Sequence, residues 1–344
     1  MMQSNMQAKI KDNLHHATEA VKDNLHNAKE NLQATRADVL AARKCENIND
    51  PVDTHFVDYV GMAWSKLFIA LHVIPNVITM LSGLSGIAGG VLLALNRSVG
   101  LDVIGAVLVF LSAVFDASDG QVARLTKHYS RLGRMLDGAA DASVYATLYT
   151  ACVCRLWNTS LFAGSALRHA LLIALGVLTY VLYVAQCQLP DYFKNLHMYM
   201  IDNSHGNELS RGKHIRAERK TAKGFGRFSL FCYSFYTGAQ ERRAPRTQKL
   251  LDAIEAHGKS EALCDAFYAE SRKLVKLTNL LTFNLRTAVL LLCVFLHFEL
   301  GALGFVILVL EPIRLILLRR YEKLSQRLLP MVESGQDAKR AVPV

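Results

Sequence analysis

Asp116-Ala117-Ser118-Asp119-Gly120-Gln121-Val122-Ala123-Arg124 is followed, eight residues later, by Gly133-Arg134-Met135-Leu136-Asp137-Gly138-Ala139-Ala140-Asp141. The two stretches join two apolar runs, Val103–Val122 and Leu136–Leu156. The aspartates are spaced i,i+3 in the first stretch and i,i+4 in the second, so each pair shares one face of its helix. A carboxylate near the centre of a membrane helix costs roughly 2.5–3.5 kcal/mol. Four of them converging from two helices require compensating charge, and a pair of divalent cations is the obvious source.

The rest of the chain reads as membrane protein. Of 344 residues, 51% are hydrophobic, and long apolar runs alternate with charged loops. Six spans fit: Ile74–Leu95, Val103–Val122, Leu136–Leu156, Leu167–Leu189, Leu274–Phe295 and Leu300–Leu318. Gly83, Gly86, Gly89 and Gly90 in the first allow close helix packing. The fold class expected is all-α: a polytopic membrane protein with about six transmembrane helices, an N-terminal amphipathic helix and a helical cytoplasmic insertion. The expected divisions are an extension over 1–50, a membrane catalytic core over 51–189 that starts with a short helix from Pro51 to about His72, a basic insertion over 190–273, spans five and six over 274–320, and a tail over 321–344.

In the extension, an apolar stripe from Ile10 through Leu14, Val21, Leu25 and Leu32 to Val39 marks an amphipathic helix over about Lys9–Lys44. Lys11-Asp-Asn-Leu-His-His-Ala recurs eleven residues later as Lys22-Asp-Asn-Leu-His-Asn-Ala, a period that keeps the stripe nearly straight along the helix. These residues are polar and helix-prone, not the apolar core of a secretory signal, and none is expected. In the insertion, Thr247–Ala256 and Ala262–Lys273 have amphipathic patterns. The seven cysteines include no CxxC pair and read as small buried hydrophobes, not zinc ligands or disulfides.

Charge sets the orientation. The formal net charge is +10, which in this setting points to cytoplasmic loops and anionic lipid, not to nucleic acid. Segments 96–102, 158–166 and 297–299 hold only Arg97 between them, with Arg155 and Arg168 flanking the second. The turn 124–134 holds Arg124, Lys127, Arg131 and Arg134, and 190–273 is dense in Lys and Arg, notably over Arg211–Arg227. With six spans, all basic loops, both termini and the aspartate motif fall on the cytoplasmic side.

The motif dictates a chemistry. Oxygen-only ligation suits Mg or Mn rather than zinc. Two such cations clamp a diphosphate and stabilise charge in phosphoryl transfer. Gly120, Ala123 and Gly133 remove bulk where a nucleotide or phosphate approaches the backbone. Arg124 offers a forked cation for phosphate oxygens, and an aspartate not fully engaged as a ligand can accept the proton of an attacking hydroxyl.

The string DxxDGxxAR, eight residues, GxxxDxxxD resembles the signature of the CDP-alcohol phosphotransferases, bacterial type, at every position. The resemblance is strongest over Ile74–Leu189 and includes Pro75-Asn76-Val77-Ile78-Thr79. It implies transfer of a phosphatidyl group from CDP-diacylglycerol to the hydroxyl of a small polar alcohol, with release of CMP, in phospholipid biosynthesis. It implies two divalent cations, Mg or Mn, held by Asp116, Asp119, Asp137 and Asp141, with Asp141 also the catalytic base. Asn76, Thr79, Gly120, Ala123, Arg124 and Gly133 would line the CDP site. The implied setting is the bacterial cytoplasmic membrane. The expected partners are CDP-diacylglycerol, the alcohol acceptor, membrane lipids and a second copy in a homodimer, with no nucleic acid.

The acceptor is read more weakly. Asn284 and Arg286 fall in the fifth span, Glu311 and Arg314 in the sixth. An arginine there can bind an acceptor phosphate or pair with Glu311. Lys127, Arg131 and Arg134 add positive potential near the mouth. Asp191–His197 and Tyr233–Gln240 look similar to bacterial family members with inositol-lipid roles. Inositol or inositol phosphate is slightly favoured, and glycerol 3-phosphate or serine is the alternative. A cation-pathway transporter and a non-catalytic membrane scaffold are the readings of another class. Neither needs Gly120, Ala123, Arg124 and Gly133 at their spacing.

Overall fold

Helix follows helix from Asp58 to Glu333. The computed structural model describes residues 38–39, 57–128, 131–201, 209 and 211–333. The helices are α1 (Asp58–Ala70), α2 (Pro75–Leu95), α3 (Val99–Leu125), α4 (Arg131–Leu156), α5 (Ala166–Ile201), α6 (Gly212–Thr221), α7 (Gly224–Arg243), α8 (Pro245–His257), α9 (Glu261–Thr278), α10 (Phe283–Phe295), α11 (Glu299–Phe305) and α12 (Glu311–Glu333). A 3-10 turn over Asn279–Leu281 links α9 to α10, and a π turn over Val306–Leu310 links α11 to α12. No strand occurs among the described residues.

Local chemistry explains the boundaries. Pro75 opens α2 at its first turn, where a missing N–H costs nothing. Ser98 caps α3 by accepting from the Leu101 N–H at 3.3 Å, and Ser260 caps α9 by accepting from Leu263 at 3.2 Å. The C-terminus of α3 closes with two bonds, His128 N–H to Ala123 C=O at 3.0 Å and Lys127 N–H to Arg124 C=O at 3.3 Å. Lys127 takes the left-handed conformation (φ 57°) that this closure needs.

Among the described residues five segments are long and apolar enough to cross a membrane: Pro75–Leu95, Val99–Leu125, Ala166–Ile201, Glu261–Phe295 and Glu299–Glu333. The chain is an all-α polytopic membrane protein. The sixth span expected, Leu136–Leu156, is present as helix α4 but falls short in apolarity, because it carries Asp137, Asp141 and Arg155 along with two inward tyrosines. α4 packs against α2, α5 and α11, and Tyr145, Tyr149 and Arg155 are buried. A helix enclosed by others need not present an apolar surface to lipid.

Glycines bring α2 against its neighbours. A Cβ on Gly89 would lie 2.6 Å from the Gly105 carbonyl oxygen of α3, and one on Gly86 would lie 2.5 Å from Val144 of α4. Only glycine permits this approach, and it fixes the three helices that carry the aspartate motif and Thr79.

At the end remote from the motif, Arg155 ties the bundle together. Its Nε donates to Glu299 at 2.6 Å, Nη1 to Asp102 at 2.9 Å and to the Leu93 carbonyl at 3.1 Å, and Nη2 to the Val294 carbonyl at 3.3 Å. Nη2 also lies 3.3 Å from His297 Nδ1. The ionic side chains are 0%, 7% and 6% exposed.

Two helices, α5 and α12, leave the membrane region unbroken. α5 runs through Pro190 to Ile201, although the sequence suggests a boundary at 189. An interior proline costs about 3 kcal/mol. Burial of Tyr192, Phe193, Leu196, Met198 and Met200 offsets it. α9 begins at Glu261 and leads into the fifth span, and α12 extends to Glu333 with Tyr321, Leu324 and Leu328 buried. Phe193 stacks on Tyr321 at 3.8 Å. The expected insertion helices are α8 and α9. Glu322 caps α8 from across the domain, accepting from the N–H groups of Arg246 (2.8 Å) and Thr247 (2.9 Å) and from the Thr247 hydroxyl (2.7 Å). Glu322→Leu strips these donors of their acceptor and is expected to cost about 1–3 kcal/mol, read as a lower unfolding midpoint in detergent.

The N-terminal amphipathic helix and its repeat lie outside the described residues except for Asp38 and Val39, which are helical. Val39 is buried with Met62, and Asp38 pairs with Lys66 of α1 at 2.7 Å. The tail beyond Glu333 is also outside.

Candidate active site

The site sits where α3 ends and α4 begins, with α2 alongside. Asp116 and Asp119 lie one turn apart on α3, and Asp137 faces them from α4. Carboxylate oxygens of all three fall within 4.8 Å of one another. Asp116 and Asp137 are in hydrogen-bonding contact. Asp141 is outside this tight triad. It lies one turn further along α4, within electrostatic reach of Asp137, Asp119 and Asp116.

Asp119 is held by three neighbours. The Thr79 hydroxyl of α2 donates to its Oδ2, the Gly120 backbone hydrogen-bonds it, and Arg124 is close enough to interact with its charge. Asn76 is half-buried one turn before Thr79 on the same face of α2. Gly120 has a second role: a Cβ there would lie 3.2 Å from both Arg124 Nη atoms, so the glycine makes room for the guanidinium. Ala123 and Gly133 are half-buried on the two sides of the turn between α3 and α4.

α1 supports the motif from behind. Ser65 donates to the Ser118 carbonyl at 3.2 Å and to Gln121 Oε1 at 2.9 Å, and Ser118 donates to the Gly61 carbonyl at 3.0 Å. The motif residues Ser118 and Gln121 thus anchor α3, while Asp116 and Asp119 face the site.

Four close acidic side chains with only oxygen donors suit hard divalent cations, whose charge would relieve their mutual repulsion. The triad, with Asp141 a turn away, fits such a group.

Beyond Asp141 lies a second feature. Arg286 of α10 is 1% exposed. Its guanidinium carbon lies 4.9 Å from the Tyr183 ring centre and 5.7 Å from that of Tyr145. Nη1 donates to the Tyr149 hydroxyl at 3.3 Å and Nη2 to the Leu281 carbonyl at 3.2 Å, while Nε has no partner. Among the described residues Arg286 makes no ion pair. Glu311, the partner considered from the sequence, binds Arg314 instead, at 2.5 and 2.9 Å, and also Gln186. Cys187, one turn from Tyr183 on α5, lies in electrostatic range of both Arg286 and Asp141. The tyrosine cage is barely marked in the sequence. Its one signal is the spacing of Tyr145 and Tyr149, which continues the i,i+4 row of Asp137 and Asp141.

The two stretches 191–197 and 233–240 also meet. Tyr236 donates to Asp191 at 3.3 Å, and Gln240 donates to the Gln188 carbonyl at 3.0 Å. Burial, and then the Asp191 charge, push the Tyr236 phenol upward, so it stays a donor. Lys127 and Arg134 are exposed at the mouth, and Arg134 reaches Tyr233 of α7 at 3.4 Å.

A family model for CDP-alcohol phosphatidyltransferase matches residues 72–193. The chain carries a CDP-alcohol phosphatidyltransferase domain. No curated protein and no solved structure matches the chain. The CDP-alcohol phosphatidyltransferase domain spans α2, α3, α4 and most of α5, so it contains all four aspartates, Asn76, Thr79 and Arg124. Arg286 and α6 to α12 lie beyond it. The domain makes the protein a membrane transferase of phospholipid headgroup chemistry that uses a CDP-linked substrate.

Proposed function

We propose that the protein transfers the phosphatidyl group of CDP-diacylglycerol to the hydroxyl of a small polar alcohol and releases CMP. The observation that carries this is the Asp116, Asp119 and Asp137 triad, with Asp141 one turn further along α4. Asp116, Asp119, Asp137 and Asp141 would hold two divalent cations, Mg or Mn. When bound, these neutralise the carboxylates and polarise the donor's diphosphate. Thr79 keeps one oxygen of Asp119 oriented. Arg124, over Gly120, presents its fork to phosphate oxygens, and Asn76, Ala123 and Gly133 border the same CDP-binding space. Asp141 takes the proton of the acceptor hydroxyl. As the acceptor oxygen bonds to the phosphatidyl phosphorus, the bond to CMP breaks and CMP leaves with the electron pair.

Arg286 supports an anionic acceptor, since a buried cation with an unsatisfied Nε and, among the described residues, no carboxylate partner suits a phosphate brought by substrate. Inositol phosphate is the favoured acceptor, with inositol, glycerol 3-phosphate and serine as competitors. Arg286→Gln is expected to raise the acceptor KM roughly 10- to 100-fold, the scale of one charge-assisted contact, with little change in the donor KM. An unchanged acceptor KM would remove Arg286 from acceptor binding.

We infer that the aspartates and both termini face the cytoplasmic side of a bacterial membrane. Burial of Arg155 with Asp102 and Glu299 supports this, since it removes a positive charge from the opposite face. The test of the whole reading is an acceptor panel with CDP-diacylglycerol in nanodiscs, read by CMP release and lipid mass spectrometry with Mg, Mn or chelator. No CMP with any acceptor would refute it.

A further inference from the structure

α7 has two unlike faces. Ser229, Tyr233, Tyr236 and Gln240 recur at steps of four, three and four, so they share one side of the helix. This side is turned to the membrane domain: Ser229 donates to Met135 Sδ at 3.1 Å, Tyr233 accepts from Arg134, and Tyr236 and Gln240 meet α5. Phe228, Phe231 and Phe235, at steps of three and four, share the other side and are 61%, 53% and 68% exposed. Three aromatic rings in one exposed row are costly in water.

We infer that α7 lies in the bilayer interface on the side of the aspartate motif, with its phenylalanine face among the lipids and the adjoining basic residues on anionic headgroups. Three observations select a bilayer as the occupant. The first is level: Ser229 and Tyr233 are held against Arg134 and Met135, in the first turn of the helix that carries Asp137 into the membrane region. The second is charge. Arg216, Lys220, Lys223 and Arg227 are exposed on α6 and at the start of α7, the stretch that leads into this face, with Glu218 the one acid in the Arg211–Arg227 run. A second copy docking face to face would set these cations against their own kind, whereas an anionic leaflet complements them. The third is the pairing of the two residue types. The Arg219 guanidinium lies 5.4 Å from the centre of the Phe231 ring, so aromatic surface and cation form one patch, as expected where an apolar layer meets charged headgroups. Arg211 and Lys213 are not part of the patch; they pair with Asp252 and Glu255 and fasten α6 to α8.

The inference rests on the chain being a membrane protein and is independent of its chemistry. The probe is the full-length Phe235→Trp variant, one copy per nanodisc, with its fluorescence compared against the parent protein. The discs contain phosphatidylcholine alone or with phosphatidylglycerol, and lipids brominated high on the acyl chain act as quenchers. The introduced indole is expected to emit blue-shifted and to be quenched by bromolipid, more strongly with phosphatidylglycerol. Each Lys or Arg near an anionic surface strengthens binding about five-fold. Adding Lys223→Glu and Arg227→Glu should therefore abolish the phosphatidylglycerol increment. Water-like emission that aqueous acrylamide quenches and bromolipid does not would overturn the inference. So would protection that appears only when discs hold two copies, or an increment that survives the charge reversal.

Discussion

Asp137→Asn is expected to reduce CMP release by at least about 10²-fold, because even partners one step removed from a metal centre are worth 10- to 100-fold. Asp137 faces both aspartates of α3 and is the member of the triad supplied by the other helix. Its loss should therefore weaken metal binding itself. Mg or Mn should raise the unfolding temperature of the parent protein and leave that of Asp137→Asn unmoved. Asp141→Asn is expected to lose about 10²- to 10⁴-fold in kcat, the range supplied by a general base. Because Asp141 stands outside the tight triad, this variant should retain most of the metal-induced thermal shift. Equal turnover in both variants and the parent would sink the assignment of the site. Equal loss of the thermal shift in both would make Asp141 a ligand first and a base second.

The second large effect is on stability. Arg155→Met is expected to destabilise the bundle by about 3–5 kcal/mol, since it leaves Asp102 and Glu299 buried without their counter-charge. Domains of this kind commonly have only about 5–15 kcal/mol in total. The single variant should unfold at a much lower temperature in detergent or fail to accumulate. The triple variant Arg155→Met, Asp102→Leu, Glu299→Leu should recover much of the loss, because it removes the stranded charges along with the cation. A single variant as stable as the parent would show that the buried cluster does not hold these helices together.

These two cases mark what a reader of the sequence can and cannot see. The aspartate spacing sets two rows on two neighbouring helices, and the short connection between them in the sequence leaves few ways to arrange those rows except facing each other. Their clustering is therefore legible in one dimension. The Arg155 cluster is not: Asp102 and Glu299 lie 53 and 144 residues from Arg155, and each alone looks like an ordinary helix-end charge. Arg286 is half legible. An ionisable residue in an apolar run draws notice, but its cage of Tyr145, Tyr149 and Tyr183 depends on how α4, α5 and α10 cross. α4 itself misleads a hydropathy profile in the other direction, because the helix that carries two of the four aspartates is the least apolar of α2 to α5. Pro190 suggests a boundary by its local preference, and tertiary burial of the following turns overrides it. α7 is missed as a unit because its aromatic row and its tyrosine row interleave, and their periodic signals cancel.

The unbroken passage of α5 through Pro190 also governs how the protein can be recombined. A splice at residue 189, where composition changes, would cut a continuous helix between Tyr183, which packs on Arg286, and Phe193, which stacks on Tyr321. Chimeras that exchange the basic insertion should instead be joined between Ile201 and Gly212 on one side and at the Asn279–Leu281 turn on the other. The exchanged piece then carries α6 to α9 whole, and the recipient keeps the buried far end of α5 that receives it.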